Sequence, residues 1–226
     1  MPKREIRMKT ILILICSLFL LTSNTLAARR KEPKNKAGAV YYTHSGSQYT
    51  LISNATGNSI SSNAAFIGVA FFYERLILSR FSAGLKFSSF LERSMALTLD
   101  NNKIDVLEKV TLFMLDFKAF FKDHTSSGLK PFIGVGYGQY NVSSSISVTA
   151  SGSTTTQEDK QTTKVTIPVT SLNFGFDYFT DFGGIRLEGG LLTGNRSDLS
   201  NSDSDGYKAK YQASGATASV GVYSFF

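Results

Sequence analysis

In the strand-sized segments from Ala65 onward, one parity is oily, and the other carries the glycines, hydroxyls and every mid-strand charge. Ala65, Ile67, Val69, Phe71 and Tyr73 oppose Gly68, Ala70 and Glu74, and Phe81, Ala83, Leu85 and Phe87 oppose Ser82, Gly84, Lys86 and Ser88. Phe113, Leu115, Phe117, Ala119 and Phe121 oppose Met114, Asp116 and Lys118. Leu172, Phe174, Phe176 and Tyr178 oppose Ser171, Asn173, Gly175 and Asp177, and Ile185, Leu187 and Leu191 oppose Arg186 and Glu188. A period of two is that of a β-strand, whose successive side chains point to opposite faces. The polar parity also carries Gly134, Gly136 and Gly138, as a crowded interior requires, so the oily parity points outward. A soluble barrel has the reverse polarity. Oil outside and charge inside is stable only where the outer solvent is hydrocarbon, since a charge facing lipid at mid-bilayer costs about 2–4 kcal/mol.

Strand-sized segments fall at about 38–51, 64–74, 81–91, 107–121, 129–142, 165–179, 185–194 and 211–226. Eight is an even number, as single-chain bacterial barrels require. Three connections, 75–80, 122–128 and 180–184, are tight; the other four, 52–63, 92–106, 143–164 and 195–210, are long and rich in Ser, Thr, Asn, Asp and Gly. Strict alternation of short and long connections is the pattern of a barrel with both termini on the periplasmic side. The expected fold is therefore all-β: an eight-stranded antiparallel up-and-down transmembrane β-barrel with short periplasmic turns and long extracellular loops. Two places fit less simply. Ala39, Val40, Tyr41 and Tyr42 alternate poorly, and Pro168 sits badly in a central strand, implying a bulge or an extension above the membrane.

The chain begins with basic residues to Lys9, an apolar run from Ile11 to Leu21 and a polar approach to Thr25, Leu26 and Ala27. This is the layout of a secretory signal peptide, too short to be a spanning helix. The expected organisation is a signal peptide over 1–28, a flexible periplasmic tail over 29–37 and a barrel domain over 38–226. The single cysteine, Cys16, lies in the leader, so the mature chain has no thiol, disulfide or thiolate metal site. The whole chain carries 24 Lys+Arg and 17 Asp+Glu. Without Lys3, Arg4, Arg7, Lys9 and Glu5 the mature part has 20 basic against 16 acidic residues, or +4. No basic helix or aromatic platform accompanies that charge, so nucleic acid is not an expected partner.

The last segment, Tyr211 to Phe226, puts Ala216, Ala218, Val220, Val222 and Phe226 on one face and Gly215, Thr217, Ser219 and Gly221 on the other. A chain that opens on an export signal and closes on an apolar strand ending in Phe226 resembles the small bacterial outer-membrane β-barrel family, the group of the OmpA transmembrane domain and OmpX-like proteins. One departure is Ser224, where that family usually has an aromatic residue. The resemblance implies residence in the Gram-negative cell outer membrane, contact with outer-membrane lipids and lipopolysaccharide, and reading of the closing strand (Val220, Val222, Phe226) by the barrel assembly machinery. A closed barrel has no unpaired edge and is expected to be a monomer.

Inside, Glu74, Asp116, Asp177 and Glu188 meet Lys86, Lys118 and Arg186, with Lys86–Asp116 and Asp177–Arg186 expected as ion pairs. Such charges either line a narrow conduit for small solutes or fill an eight-stranded interior that is only just wide enough for side chains, and that width favours the filling. His44, beside Ser45 near the outer end of the first strand, is the one place for a rim-located lipid-modifying enzyme, although no motif supports it. His124 falls in a turn. Asn201-Ser202-Asp203-Ser204-Asp205-Gly206 opens like a calcium loop but lacks the closing Glu, Gln212 standing in its place. Lys109, Arg196, Lys208 and Lys210 at loop ends could meet lipopolysaccharide phosphates as point charges. The expectation is a non-enzymatic barrel that displays polar surface loops for adhesion, envelope integrity or surface interaction, without cofactor, metal or catalytic residues.

Overall fold

The computed structural model describes residues 35–123, 127–149, 157–199 and 206–226, with side chains described outside 157–162. The expected signal peptide, most of the expected tail, His124 and nearly all of the calcium-like segment lie outside these residues. The described residues form eleven strands: β1 (Asn35–Ser53), β2 (Ser59–Leu78), β3 (Phe81–Phe90), β4 (Arg93–Leu99), β5 (Asn102–Phe120), β6 (Gly128–Thr149), β7 (Gln157–Phe179), β8 (Gly183–Gly194), β9 (Arg196–Leu199), β10 (Tyr207–Gln212) and β11 (Gly215–Phe225). β3 and β4 together pair with β5, β9 pairs with β10, and β10 and β11 both pair with β1, so the eleven strands build eight antiparallel walls. The β11–β1 ladder, from Lys36–Phe225 to Ser45–Ala216, closes the ring.

Closure corrects one boundary. The first strand begins at Asn35, so Asn35, Lys36 and Ala37 belong to the barrel wall and not to a flexible tail. Lys36 thereby points into the lumen with no exposed surface. The poor alternation of the first strand has a simple cause. Tyr41 faces outward while Val40 and Tyr42 are buried inside, because this part of the lumen takes apolar side chains as well as polar ones.

The oily parity faces outward along the lower wall. Phe117, Phe174, Leu187 and Val220, for instance, are each about half exposed. This belt is the lipid-facing surface of a transmembrane barrel. Along β5 it runs from Phe121, just past the strand's end, up to Phe113, above which the next outward residues are Thr111 and Lys109. Above the belt the polarity changes. Leu51, Leu97, Leu99, Ile104, Val106, Ile146 and Leu199 turn inward and are buried, while charged and hydroxyl side chains face out. Water surrounds this extension, so it takes the polarity of a soluble barrel.

The long connections are therefore largely continued ladder. β5 and β6 stay paired from Phe120–Phe132 up to Lys103–Thr149. β4 returns to β5 through Asp100 and Asn101, both left-handed at φ 52° and 66°, the paired positive values of a two-residue hairpin turn. Pro168 stays in register with Gln139, and the β7–β8 ladder ends just below it at Val169–Gly194. Its missing N–H thus falls where one neighbour has already left.

Candidate functional site

The lumen is filled in layers. At the periplasmic end Phe120, Phe132, Phe179, Tyr223 and Phe225 pack together, tilted in the Phe120–Phe132 pair and edge to face in the others, with ring centroids 5.3 to 6.3 Å apart. Above this floor lie four cations, Lys36, Lys86, Lys118 and Arg186, and four anions, Glu74, Asp116, Asp177 and Glu188, none more than 5% exposed. Arg186 Nε donates to Asp177 Oδ1 at 2.7 Å and Nη2 to Asp177 Oδ2 at 2.7 Å, a two-pronged pair between direct cross-strand partners. The same guanidinium donates to Glu74 across the lumen, with Nη2 3.0 Å from Oε2. Lys36 Nζ lies 2.9 Å from Glu74 Oε2 and donates to Asp177 Oδ2 at 2.7 Å. Lys118 Nζ bridges Glu74 (2.8 Å) and Glu188 (2.7 Å), and Lys86 Nζ joins Glu188 to Asp116, 3.3 Å from Asp116 Oδ2. The chain of contacts runs unbroken from Lys36 to Asp116.

Equal numbers of cations and anions leave the octet neutral, and charge-assisted hydrogen bonds offset the desolvation that burial imposes on each member. Aromatic faces supply further contact: Arg186 lies 4.3 Å from the centroid of Phe72, Lys36 4.7 Å from Phe120 and Lys118 4.8 Å from Phe132. Space for the octet comes from glycine. A Cβ on Gly136 would sit 2.6 Å from both the Met114 Cε and the Ser171 Oγ and would press on Asp116. A side chain there would displace the carboxylate that Lys86 holds.

Higher up, aromatic and polar groups meet. His44 Nδ1 lies 3.2 Å from the Tyr140 hydroxyl, which is 3.4 Å from that of Tyr211. Glu108, buried on β5 beside Ser144 and opposite Arg93, has only a loose ion pair, 3.7 Å from Arg93 Nη1. Among the described residues neither of its carboxylate oxygens has a hydrogen-bond partner. Lying above the lipid belt, Glu108 has its acidity weakened by burial, which pushes the carboxyl up to about 7 against the opposing pull of Arg93.

No protein-family model and no curated protein matches the chain. Among solved structures it is similar to the outer membrane protein OprG from Pseudomonas aeruginosa, with a TM-score of 0.56 at 10% identity over 87% of this chain and 97% of that one. It also aligns with the outer membrane protease OmpT from Escherichia coli (TM-score 0.44, 12% identity, 88% of this chain and 100% of that one). A third alignment is with Ail, the attachment invasion locus protein of Yersinia pestis (0.41, 11% identity, 86% and 99%). The fold is that of the small outer-membrane β-barrels.

In this barrel, the seven charged residues singled out in the sequence lie in one network, joined by Lys36. Lys86 and Asp116 meet as diagonal neighbours, since Lys86 is directly opposite Met114 and Asp116 opposite Gly84. Val220 and Val222 face outward on the strand that closes the ring, and Phe226 donates its backbone N–H to the Asn35 carbonyl, 3.1 Å away. His44 and Ser45 do not come together. They are adjacent on a strand, so His44 points into the lumen and Ser45 out of it; the serine hydroxyl near His44 is that of Ser47, at 3.5 Å, beyond a bulge. Arg93 carried no signal in the sequence because it falls in a segment, 92–106, that reads as polar loop, and Glu108, at the start of the strand-sized segment 107–121, had no visible partner there.

Proposed function

We propose that the chain is a non-enzymatic outer-membrane protein whose closed barrel is a rigid, non-conducting support and whose extracellular hairpins present a polar surface for adhesion, envelope integrity or surface interaction. The observation that carries this reading is the neutral octet of buried charges, seated on a floor of packed aromatic rings. An eight-stranded interior has no width to spare beside such a filling, which counts against a conduit. The separation of His44 from Ser45 by strand parity counts against a rim hydrolase built on that pair.

The hairpin tips support display because they are tied to one another. Thr56 Oγ1 and Asn58 Nδ2 donate to the two oxygens of Asp100 at 2.7 and 2.8 Å. The Asn54 N–H reaches the Gly206 carbonyl at 2.7 Å, and Asn102 Nδ2 the Tyr207 hydroxyl at 2.8 Å. Hydrogen bonds from Asn58, Ser53 and Thr56 hold the Asp100 carboxyl below the usual range. A surface organised in advance loses less entropy when it meets a partner. The reading includes export by the leader over 1–28, assembly through the closing strand that ends at Phe226, and a monomer in the outer membrane. Planar-bilayer recording on the folded protein tests it: the expected trace is flat, and discrete conductance steps would refute the closed lumen.

A further inference from the structure

Above the lipid belt the barrel wall has a seam. β2 is laddered to β3 up to Gly68–Phe90, where β3 ends. β4 continues the wall from Arg93 but pairs with β5 alone, and the upper half of β2 pairs only with β1. No ladder joins β2 to β4, so their edges are held by separate ties. At the base the Leu91 N–H donates to the Ile67 carbonyl at 2.8 Å, and at the tip Thr56 and Asn58 donate to Asp100. Midway, Arg93 Nη2 donates to the Asn63 carbonyl at 3.1 Å and to Ser62 Oγ at 3.3 Å.

Arg93 also faces a second acceptor. Its direct cross-strand partner is Glu108, the same relation that joins Arg186 to Asp177. Arg186 grips its carboxylate with two prongs at 2.7 Å, whereas Arg93 Nη1 stands 3.7 Å from Glu108 Oε2, with the fork turned towards β2. Above the belt these two are the only charged side chains on the inward parity of the described strand residues. The titratable groups that face Glu108 from other walls are Tyr49 on β1, Tyr140 on β6 and Tyr211 on β10, none of which ionises between pH 5 and 8. His44, against Tyr140, is the remaining neighbour whose type titrates in that range. The Glu108 carboxyl, raised to about 7 by burial, changes charge there.

A protonated Glu108 leaves the guanidinium to tie β2, which is the arrangement seen. An ionised Glu108 is a buried charge without hydrogen bonds, a state relieved only by a closer partner or by water. A shift of about 1 Å brings Nη1 into hydrogen-bonding range, and a two-pronged grip turns Nη2 away from Asn63.

We propose that Arg93 is a two-position latch, tied to β2 while Glu108 is protonated and gripping Glu108 once it is ionised, so that the seam closes in acid and loosens as pH rises. The latch adds a control to the displayed surface and does not rest on what that surface meets. The closed form holds the proton more tightly, so acid favours it, and coupling to the loosened form draws the midpoint below about pH 7. Pyrene attached at Asn63→Cys/Ser94→Cys, exposed positions on either side of the seam, reports the gap through its excimer-to-monomer ratio, since the only other cysteine, Cys16, lies in the leader. In the leaderless protein folded into vesicles, the ratio should fall at least twofold from pH 5 to pH 8, with the heat-dependent gel shift of a folded barrel intact at both. In this background E108Q should keep the high ratio and R93Q the low one throughout, and H44Q should respond like its parent. The proposal is overturned by a fall of less than twofold, by a response that persists in E108Q or R93Q, or by one that disappears in H44Q.

Discussion

Replacing Arg186 with Met keeps much of the side chain's length and removes its charge. The variant loses both hydrogen bonds to Asp177, both to Glu74 and the contact with the Phe72 face. The octet then holds three cations against four anions. Removing one partner from a buried ion pair costs about 3–5 kcal/mol, chiefly because the remaining charge stays buried. Lys36 still reaches both orphaned carboxylates and Lys118 still reaches Glu74, so the lower end, about 3 kcal/mol, applies. With a slope of about 1–3 kcal/mol per molar, the urea midpoint in lipid vesicles should fall by about 1–3 M. The chain has no tryptophan, so unfolding is followed by gel mobility or by tyrosine emission. Arg186→Met/Asp177→Asn restores neutrality and should be more stable than Arg186→Met alone. A midpoint for Arg186→Met within about 0.3 M of wild type, or a double variant that shows the sum of the two single losses, would refute a coupled, charge-balanced filling.

Other outcomes follow from the same structure. Glu108 has a folded-state carboxyl raised from 4.5 to about 7, so it favours the folded state fully below pH 4.5, and this contribution is lost as pH rises towards 7. Wild type should therefore lose up to about 3 kcal/mol between pH 5 and 8, a slope that Glu108→Gln flattens in urea titrations at the two pH values. Leu115→Arg puts a charge on the lipid face and should cost about 2–4 kcal/mol, read as lower folding yield into vesicles, whereas Thr111→Arg, above the belt, should fold like wild type. Deleting Phe226 removes its ring contact with Tyr73 and its bond to Asn35. The deletion should lower outer-membrane yield in cells several-fold while leaving refolding into vesicles nearly intact, and equal losses in both would show that Phe226 acts through stability.

The architecture was legible because parity is a local property. Whether Phe117 faces lipid and Lys118 the lumen depends only on their being neighbours in a strand, and the same count places Asp116, Arg186 and Glu188 inside. Lys36 was not legible: one lysine in a charged segment looks the same whether it continues a tail or starts a wall. Arg93 was hidden for a related reason, since a strand in water outside the membrane carries the polar composition of a loop, and with Arg93 hidden Glu108 had no visible partner.

By itself, then, the sequence determined that the wall is β, that it has eight passes and which side chains of the lower barrel face in. Only the tertiary structure decided which lumenal charges meet across the barrel, as Arg186 meets Glu74 from 112 residues away and Lys86 meets Glu188 from 102. It also decided the height at which the polarity of the wall reverses. Facing is settled within one strand, whereas height and partnership depend on the stagger and tilt of all eight walls, which exist only once β11 has paired with β1.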